Sequence, residues 1–311
     1  MDLLTAMRLF HRVVETGGFS EVARQTGQTQ PTISRTIAAL EDHLGVRLLN
    51  RSSRSMTLTD DGRQFLEQAG RALEAFAEAE ASVGRRRGHP TGLLRVGTPV
   101  AFGRLHVAPR IAAFLDRHPD VTVDLSLSDA FVDLVTDGLD LAVRVGVLDD
   151  PSLIARRIGT TRRATVASAA YLARRGIPAT PADLLRHDCI VYTRLATGSR
   201  WHFDGPEGPI VVTVSGRFRA DNSEAVREGV IAGAGIGVVP VWLFRDEITT
   251  GRVQIVLDAF EPSPLPIHAV YPSRRLVAPK VRAMVEFLAA EFAASPVLSG
   301  RGDASHAATV G

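Results

Sequence analysis

Residues 20–51 read SEVARQTGQTQPTISRTIAALEDHLGVRLLNR, and this stretch decides the fold of the amino-terminal part of the chain. Ser20 stands as the N-cap of a short helix that opens Glu21-Val22-Ala23, and Gly27 supplies a tight turn. Thr29 stands as N-cap of the next helix, with Pro31 in its first turn, where a missing N–H costs nothing. Ile33, Ile37, Leu40 and Leu44 follow at spacings of four, three and four, one apolar stripe. Gln30, Ser34, Arg35 and Ala38 fall on the opposite face, with Thr32 in the first turn. That face suits a DNA groove: glutamine pairs bidentately with adenine and arginine with guanine. Serine or threonine reaches a base edge or phosphate, and a small residue permits close approach.

A solvated face of an ordinary amphipathic helix would look the same in isolation, so the flanking sequence decides. Leu48 to Leu58 reads as strand, turn, strand, with Arg51 and Arg54 near the tip, where cations meet a phosphate backbone. Upstream, Leu4, Met7, Phe10 and Val14 mark a first helix over about 3–16, ended by Gly17-Gly18. Three helices and a two-stranded wing make a winged helix-turn-helix, which sets its last helix into the DNA major groove. Ser20, Thr29, Gln30, Pro31, Thr32, Ser34, Arg35, Arg51 and Arg54 are its candidate DNA contacts.

The same residues carry a family resemblance. Residues 1–62 resemble the N-terminal domain of LysR-type transcriptional regulators in Met7-Arg8-Leu9-Phe10, Gly18-Phe19-Ser20 and Gln30-Pro31-Thr32-Ile33-Ser34-Arg35. Leu40-Glu41, Leu44-Gly45, Leu48-Leu49-Asn50-Arg51 and Leu58-Thr59-Asp60-Asp61-Gly62 extend the likeness. Thr26 and Gln28 depart from it by placing polar groups where the family's turn is apolar, which predicts looser packing there.

Thr59 caps a further helix, and Asp60 and Asp61 suit its dipole. Leu66, Ala69, Leu73 and Phe76 alternate spacings of three and four, a heptad seam that reaches Val83 over ~36 Å and is spoiled near its end by Glu80. A helix packed on its own domain would share the pattern, but an exposed seam of this length predicts self-association. In the family it resembles the dimerisation helix. The Arg85-Arg86-Arg87 run follows in a hinge and reads as solvated linker.

From Leu93 the pattern alternates strand and helix: strands at 93–97, 121–127 and 141–145, helices at 104–117 and 131–137, and a second series from Thr165 to Val239. Such βαβ repetition predicts parallel sheets in two α/β lobes with a cleft between them. Residues 92–290 resemble the LysR-type effector domain, similar in fold to periplasmic solute-binding proteins. The carriers include His118-Pro119-Asp120-Val121, Asp140-Leu141-Ala142-Val143-Arg144 and Gly233-Ala234-Gly235-Ile236-Gly237. Ligands of open α/β sheets sit beyond the carboxyl ends of strands. That rule selects Thr98, Pro99, Phe102, Gly103, Ser128, Arg144, Val145 and Gly146 in the first lobe, and Tyr192 and Asn222 in the second. Each alone serves equally as a loop-packing residue. N–H groups after Thr98-Pro99 would suit a carboxylate.

Composition narrows the function. At 311 residues the chain holds two or three folding units, and a net charge of +2 is uninformative about nucleic acid. The single cysteine, Cys189, excludes an internal disulfide and reads as a buried small hydrophobe. No apolar run reaches the ~18–20 residues of a membrane span, and no export signal is visible, so a cytoplasmic location is expected. No nucleophile elbow, phosphate loop or paired-histidine motif marks an enzyme. Gly233-Ala234-Gly235-Ile236-Gly237 precedes a strand, where a dinucleotide fingerprint follows one.

The expectation is a winged helix-turn-helix over 1–59, a linker helix and hinge over 60–91, a two-lobed α/β effector domain over 92–294 and a disordered tail over 295–311. The partners expected are double-stranded DNA, a small organic anion as effector and further copies of the chain, with no cofactor. A repressor with a vestigial sensor, or one that reads a protein partner, is the second reading.

Overall fold

The computed structural model describes residues 2–51, 56–81, 89–130, 134, 137–148, 154–195, 197–271 and 277–299. The chain divides into Met1–His89 and Pro90–Gly311.

In the first unit α1 (Leu3–Thr16) is capped by the Asp2 carboxylate, which accepts from Leu4 N–H at 3.2 Å, and ends at Gly17 with φ 74°. Its buried stripe is Ala6, Leu9, Phe10 and Val13, one residue round from the Leu4, Met7 and Val14 of the sequence reading. α2 (Phe19–Thr26) begins two residues earlier than expected: extended Gly18 is the N-cap, and Ser20 lies in the first turn. α3 (Gln30–Leu44) buries Ile33, Ile37 and Leu40 against α1 and Val22, while Leu44 is half-buried. β1 (Leu49–Arg51) and β2 (Met56–Leu58) pair antiparallel as the wing, and its tip, including Arg54, lies outside the described residues. The expected softening of the α2–α3 turn has no counterpart: Thr26 Oγ1 donates to Val22 O at 2.8 Å, and Gln28 is exposed. A polar side chain costs stability only when buried without a partner.

α4 (Asp60–Ala81) starts where expected, with Gly62 N–H donating to Thr59 Oγ1 at 2.8 Å. Gly62 is required there, because a Cβ would stand 2.0 Å from the Leu48 carbonyl oxygen. Phe65 packs on Phe10 with ring centres 5.7 Å apart, fixing α4 to α1.

The second unit opens with β3 (Gly92–Thr98), then α5 (Val100–Phe102), a π-turn over Gly103–Val107, and α6 (Ala108–Arg117). Helical backbone therefore starts at Val100, four residues before the expected Arg104. β4 (Val121–Leu127), β5 (Leu141–Val145), β6 (Ile154–Thr161) and the late strand Leu265–Tyr271 complete a sheet with β3. Most of the expected 131–137 helix lies outside the described residues. β7 (Arg163–Ser168), α7 (Ala169–Arg175), β8 (Val191–Tyr192), β9 (Arg200–Gly205), β10 (Gly208–Thr213), β11 (Arg219–Ala220) and α8 (Ser223–Ile231) build the second lobe. β12 (Gly237–Pro240), α9 (Arg245–Thr249), β13 (Val253–Val256) and β14 (Glu261–Pro262) finish it; β15 (Leu265–Tyr271) and α10 (Pro279–Ala293) return to the first.

The first sheet runs β4-β3-β5-β15-β6, with β3, β4 and β5 parallel and β15 antiparallel to both neighbours. In the second lobe β7 is antiparallel to β12 and β13, β8 is parallel to β11, and a parallel bridge at Cys189–Ile236 sets β8 beside β12. Both lobes thus share one pattern of three parallel strands, one reversed strand and a fifth. The expected parallel sheets are found with one reversed strand each: alternation of apolar residues sets which face is buried, and strand direction comes from the chain's two crossings. Those crossings lie at Arg162, between β6 and β7, and at Ser263-Pro264, between β14 and β15. Arg163 Nε donates to Ser263 O at 2.8 Å and ties them together.

Leu94, Val96, Phe114, Val143, Met284 and Leu288 form the first lobe's core, and Phe203, Leu184, Ile236 and Tyr171 that of the second. Lys280, the chain's single lysine, is buried and donates to Leu93 O at 2.6 Å, pinning α10 to the sheet. The tail departs from expectation at Ser295–Ser299. Leu298 is fully buried, Thr160 N–H donates to its carbonyl at 2.8 Å, and Ser299 bridges to Thr160.

Candidate functional site

The exposed end of α3 carries Gln30, Pro31, Thr32 and Arg35, with Ser34 and Ala38 half-buried beside them. Thr29 has the extended backbone of an N-cap, but its hydroxyl pairs with Thr32 Oγ1 at 2.8 Å rather than with a backbone N–H. Ser20 also differs from its expected capping role: its hydroxyl donates to Gln30 Oε1 at 3.2 Å. That bond restrains the Gln30 side chain and leaves its amide nitrogen as a donor. A restrained glutamine loses less rotamer entropy when it meets a base.

Glu41 places the wing relative to α3, a role the sequence reading missed. Its buried carboxylate accepts from Leu48 N–H at 2.9 Å and Leu49 N–H at 3.1 Å through one oxygen. The signal was present as a charged residue beside Leu40 on the apolar side of the stripe.

On α4 the expected seam divides. Ala69 is only 2% exposed and Leu66 packs on the core of its own unit, so both are corrected to intrachain packing. Leu73 lines a groove with Thr5, Leu9 and Arg12 of α1, and Phe76 is 37% exposed.

In the second unit the strand-end residues fall into two groups. Phe102 is corrected from ligand contact to core: it is 1% exposed among His106, Trp242 and Phe292. Gly103 is likewise a packing position, since a Cβ there would stand 2.4 Å from Thr98 Cγ2 and 2.4 Å from Leu127 Cδ2. Thr98 is buried, and its carbonyl accepts from Ser128 N–H at 3.0 Å, joining the ends of β3 and β4. Pro99 and Val145 are half-buried, the latter against the first-lobe core. Gly146 needs its φ of 126° and approaches Leu195 of the second lobe. Burial draws the Arg144 guanidinium below its usual range, with Asp137 opposing.

Ser128, Tyr192 and Asn222 meet around a residue the sequence reading passed over, Asp129. It accepts from Val100 N–H at 3.0 Å and from Asn222 Nδ2 at 2.5 Å. Burial, then the Asp129 charge, push the Tyr192 phenol up, so it stays protonated. Arg104 and Glu224 form a second contact between the lobes at 2.7 Å. Cys189 is buried, donates to Leu184 O at 3.8 Å, and is pushed up to about 12 by burial. It is a structural thiol.

Comparison with known proteins agrees with both halves. Residues 4–63 match the family described as bacterial regulatory helix-turn-helix protein, lysR family, and residues 87–293 match the LysR substrate binding domain. The chain belongs to the LysR family of transcriptional regulators. It is 34% identical over 289 residues to the HTH-type transcriptional activator AaeR of Escherichia coli, covering 93% of each chain. It is 36% identical over 287 residues to the regulator PtxR of Pseudomonas aeruginosa, covering 92% of this chain and 91% of that one. Among solved structures, CrgA from Neisseria meningitidis, a LysR-type transcriptional regulator, aligns with a TM-score of 0.57 at 31% identity, over 92% of this chain and 98% of that one. LysR-type proteins are regulators rather than enzymes: they bind DNA, respond to small molecules and oligomerise. Among the described residues, no helix is long and apolar enough to cross a membrane.

Proposed function

We propose that this LysR-type chain acts in the cytoplasm as a homodimer or tetramer, reads DNA through α3 and the wing, and answers to a small organic acid in the cleft between its effector lobes. The single observation behind the DNA-reading assignment is the α3 face itself: Gln30 and Arg35 stand exposed while Ile33, Ile37 and Leu40 are fully buried. Gln30 and Arg35 are the base readers, Thr32 and Ser34 flank them, and the wing arginines Arg51 and Arg54 meet phosphate. Leu73 and Phe76 are the self-association residues on α4. Thr98, Ser128, Tyr192 and Asn222 ring the ligand seat, with Arg144 and Gly146 at its edge.

Selection of a bound site from random duplexes, followed by gel shifts at fixed salt, tests the assignment. Gln30→Ala and Arg35→Ala should each relax discrimination at one base pair, with about 1–3 kcal/mol lost per bidentate contact. Unchanged discrimination in both variants removes α3 as the reading element.

A further inference from the structure

Donors from two lobes converge on one carboxylate of the chain itself. Asp129 Oδ1 accepts from Val100 N–H at 3.0 Å, and Oδ2 accepts from Asn222 Nδ2 at 2.5 Å. Val100 follows β3 in the first lobe, and Asn222 opens α8 in the second. The Asn222 amide cannot turn over without loss, because its Oδ1 caps α8 by accepting from Ala225 N–H at 3.0 Å. Its nitrogen is therefore committed to whatever oxygen lies opposite. The two donors define a seat shaped for both oxygens of a carboxylate, and half-buried Asp129 fills it. The Arg104–Glu224 pair joins the π-turn that follows Val100 to α8 alongside.

We propose that Asp129 is the cleft's internal ligand, whose carboxylate fills the seat that the carboxylate of an acid effector takes over, so that effector binding is an exchange of one carboxylate for another. The inference rests on the reading that the cleft takes an organic acid. The exchange follows from hydrogen-bond accounting. An incoming carboxylate gains the two bonds that Asp129 gives up, so the seat contributes selectivity while the rest of the ligand contributes affinity. A neutral amide cannot replace Asp129, because it sets an N–H₂ against one of the two donors. Once displaced, Asp129 no longer joins the lobes, and the acid's carboxylate takes over the bridge between Val100 and Asn222. Asp129 thereby sets the threshold concentration of effector: the seat is available only in the fraction of molecules from which Asp129 has withdrawn.

Full-length Asp129→Ala supplies the test, with sodium acetate as probe, sodium chloride as ionic-strength control and acetamide as neutral isostere. Melting is followed by tryptophan fluorescence, since Trp201 and Trp242 both lie in the effector unit. Asp129→Ala should melt below the wild type and regain stability saturably in acetate. The rise should be about 3–5 °C at ten times the acetate dissociation constant, with none in chloride or acetamide. The wild type, its seat filled, should not respond, and Asp129→Ala combined with Asn222→Ala should lose the acetate response. Should Asp129→Ala fold poorly, its refolding yield in acetate against chloride is the same readout, and a higher yield in acetate is expected. Equal acetate effects on wild type and Asp129→Ala, or none on Asp129→Ala by either readout, overturn the exchange. A melting screen of organic acids on the wild type tests separately whether the cleft takes an acid at all.

Discussion

Replacing Glu41 by alanine tests how α3 and the wing are held in one geometry. One carboxylate oxygen of Glu41 accepts from the backbone N–H groups of Leu48 and Leu49, at 2.9 Å and 3.1 Å, in a site where Glu41 is 6% exposed and both leucines are closed to solvent. Alanine leaves both donors buried without acceptors, each costing about 1–3 kcal/mol. Partial entry of water into the vacated space places the total near 2–4 kcal/mol. A unit of this size holds about 5–13 kcal/mol in all, so the loss is a large fraction of it. Glutamine keeps an acceptor oxygen for the two N–H groups and loses the charge, so it costs less than alanine. Both tryptophans lie in the effector unit, so fluorescence follows that unit alone while far-ultraviolet circular dichroism follows both. In urea, Glu41→Ala should move the transition seen only by circular dichroism to lower concentration and leave the fluorescence transition in place. Glu41→Gln should fall between wild type and alanine. Glu41→Gln as damaging as alanine, or an unmoved circular dichroism transition in Glu41→Ala, would refute the reasoning.

Two further outcomes follow from the geometry. Burial, then the Arg110 charge, lower His106 from 6.5 to about 4, and its Nε2 is buried beside the Trp242 ring, whose centre lies 4.7 Å away. The unfolded chain takes up this proton first as pH falls, so about 3 kcal/mol of stability, fully present above pH 6.5, is lost progressively towards pH 4; His106→Leu should flatten that part of the pH dependence of fluorescence-detected urea melts, and an unchanged slope counts against a neutral buried imidazole. Leu73→Asp sets a charge beside Phe76 on the open face of α4 and should lower the mass found by light scattering at least to that of a smaller oligomer; an unaltered mass removes α4 from the self-association surface.

The parts of the fold that were legible in the sequence rest on contacts close along the chain. The α3 stripe, the Gly27 turn and the Thr59 cap each depend on residues within about one helical turn, so spacing alone reveals them. The α4 seam misled because a periodic apolar face records that something covers it and not what does. Phe10 and the α1 surface claim Phe65, Leu66 and Ala69, and only the later turns are left for another partner. Leu298 misled in the opposite direction. A tail of small residues carries no periodic signal, yet one leucine fills a space against Phe292 and Gly159 that exists only once β6 and α10 are assembled.

The effector cleft shows the same division at the level of chemistry. The rule that ligands gather beyond the carboxyl ends of strands selects Ser128, Tyr192 and Asn222, which the structure brings together around Asp129. It also selected Phe102 and Gly103, which the early start of the helix at Val100 turns inward as packing residues. What it cannot reveal is occupancy. Asp129 and Asn222 lie 93 positions apart, and nothing in the local sequence of either shows that the second caps a helix with one atom of its amide and binds the first with the other. The cap fixes the amide, the fixed amide demands an acceptor, and Asp129 is the acceptor the chain supplies. A substitution that keeps the cap and removes the acceptor match therefore separates the two roles. Asn222→Asp still accepts from Ala225 N–H, but it turns a second carboxylate towards Asp129, so α8 should stay folded while the Asp129 contact between the lobes is lost and the Arg104–Glu224 contact remains.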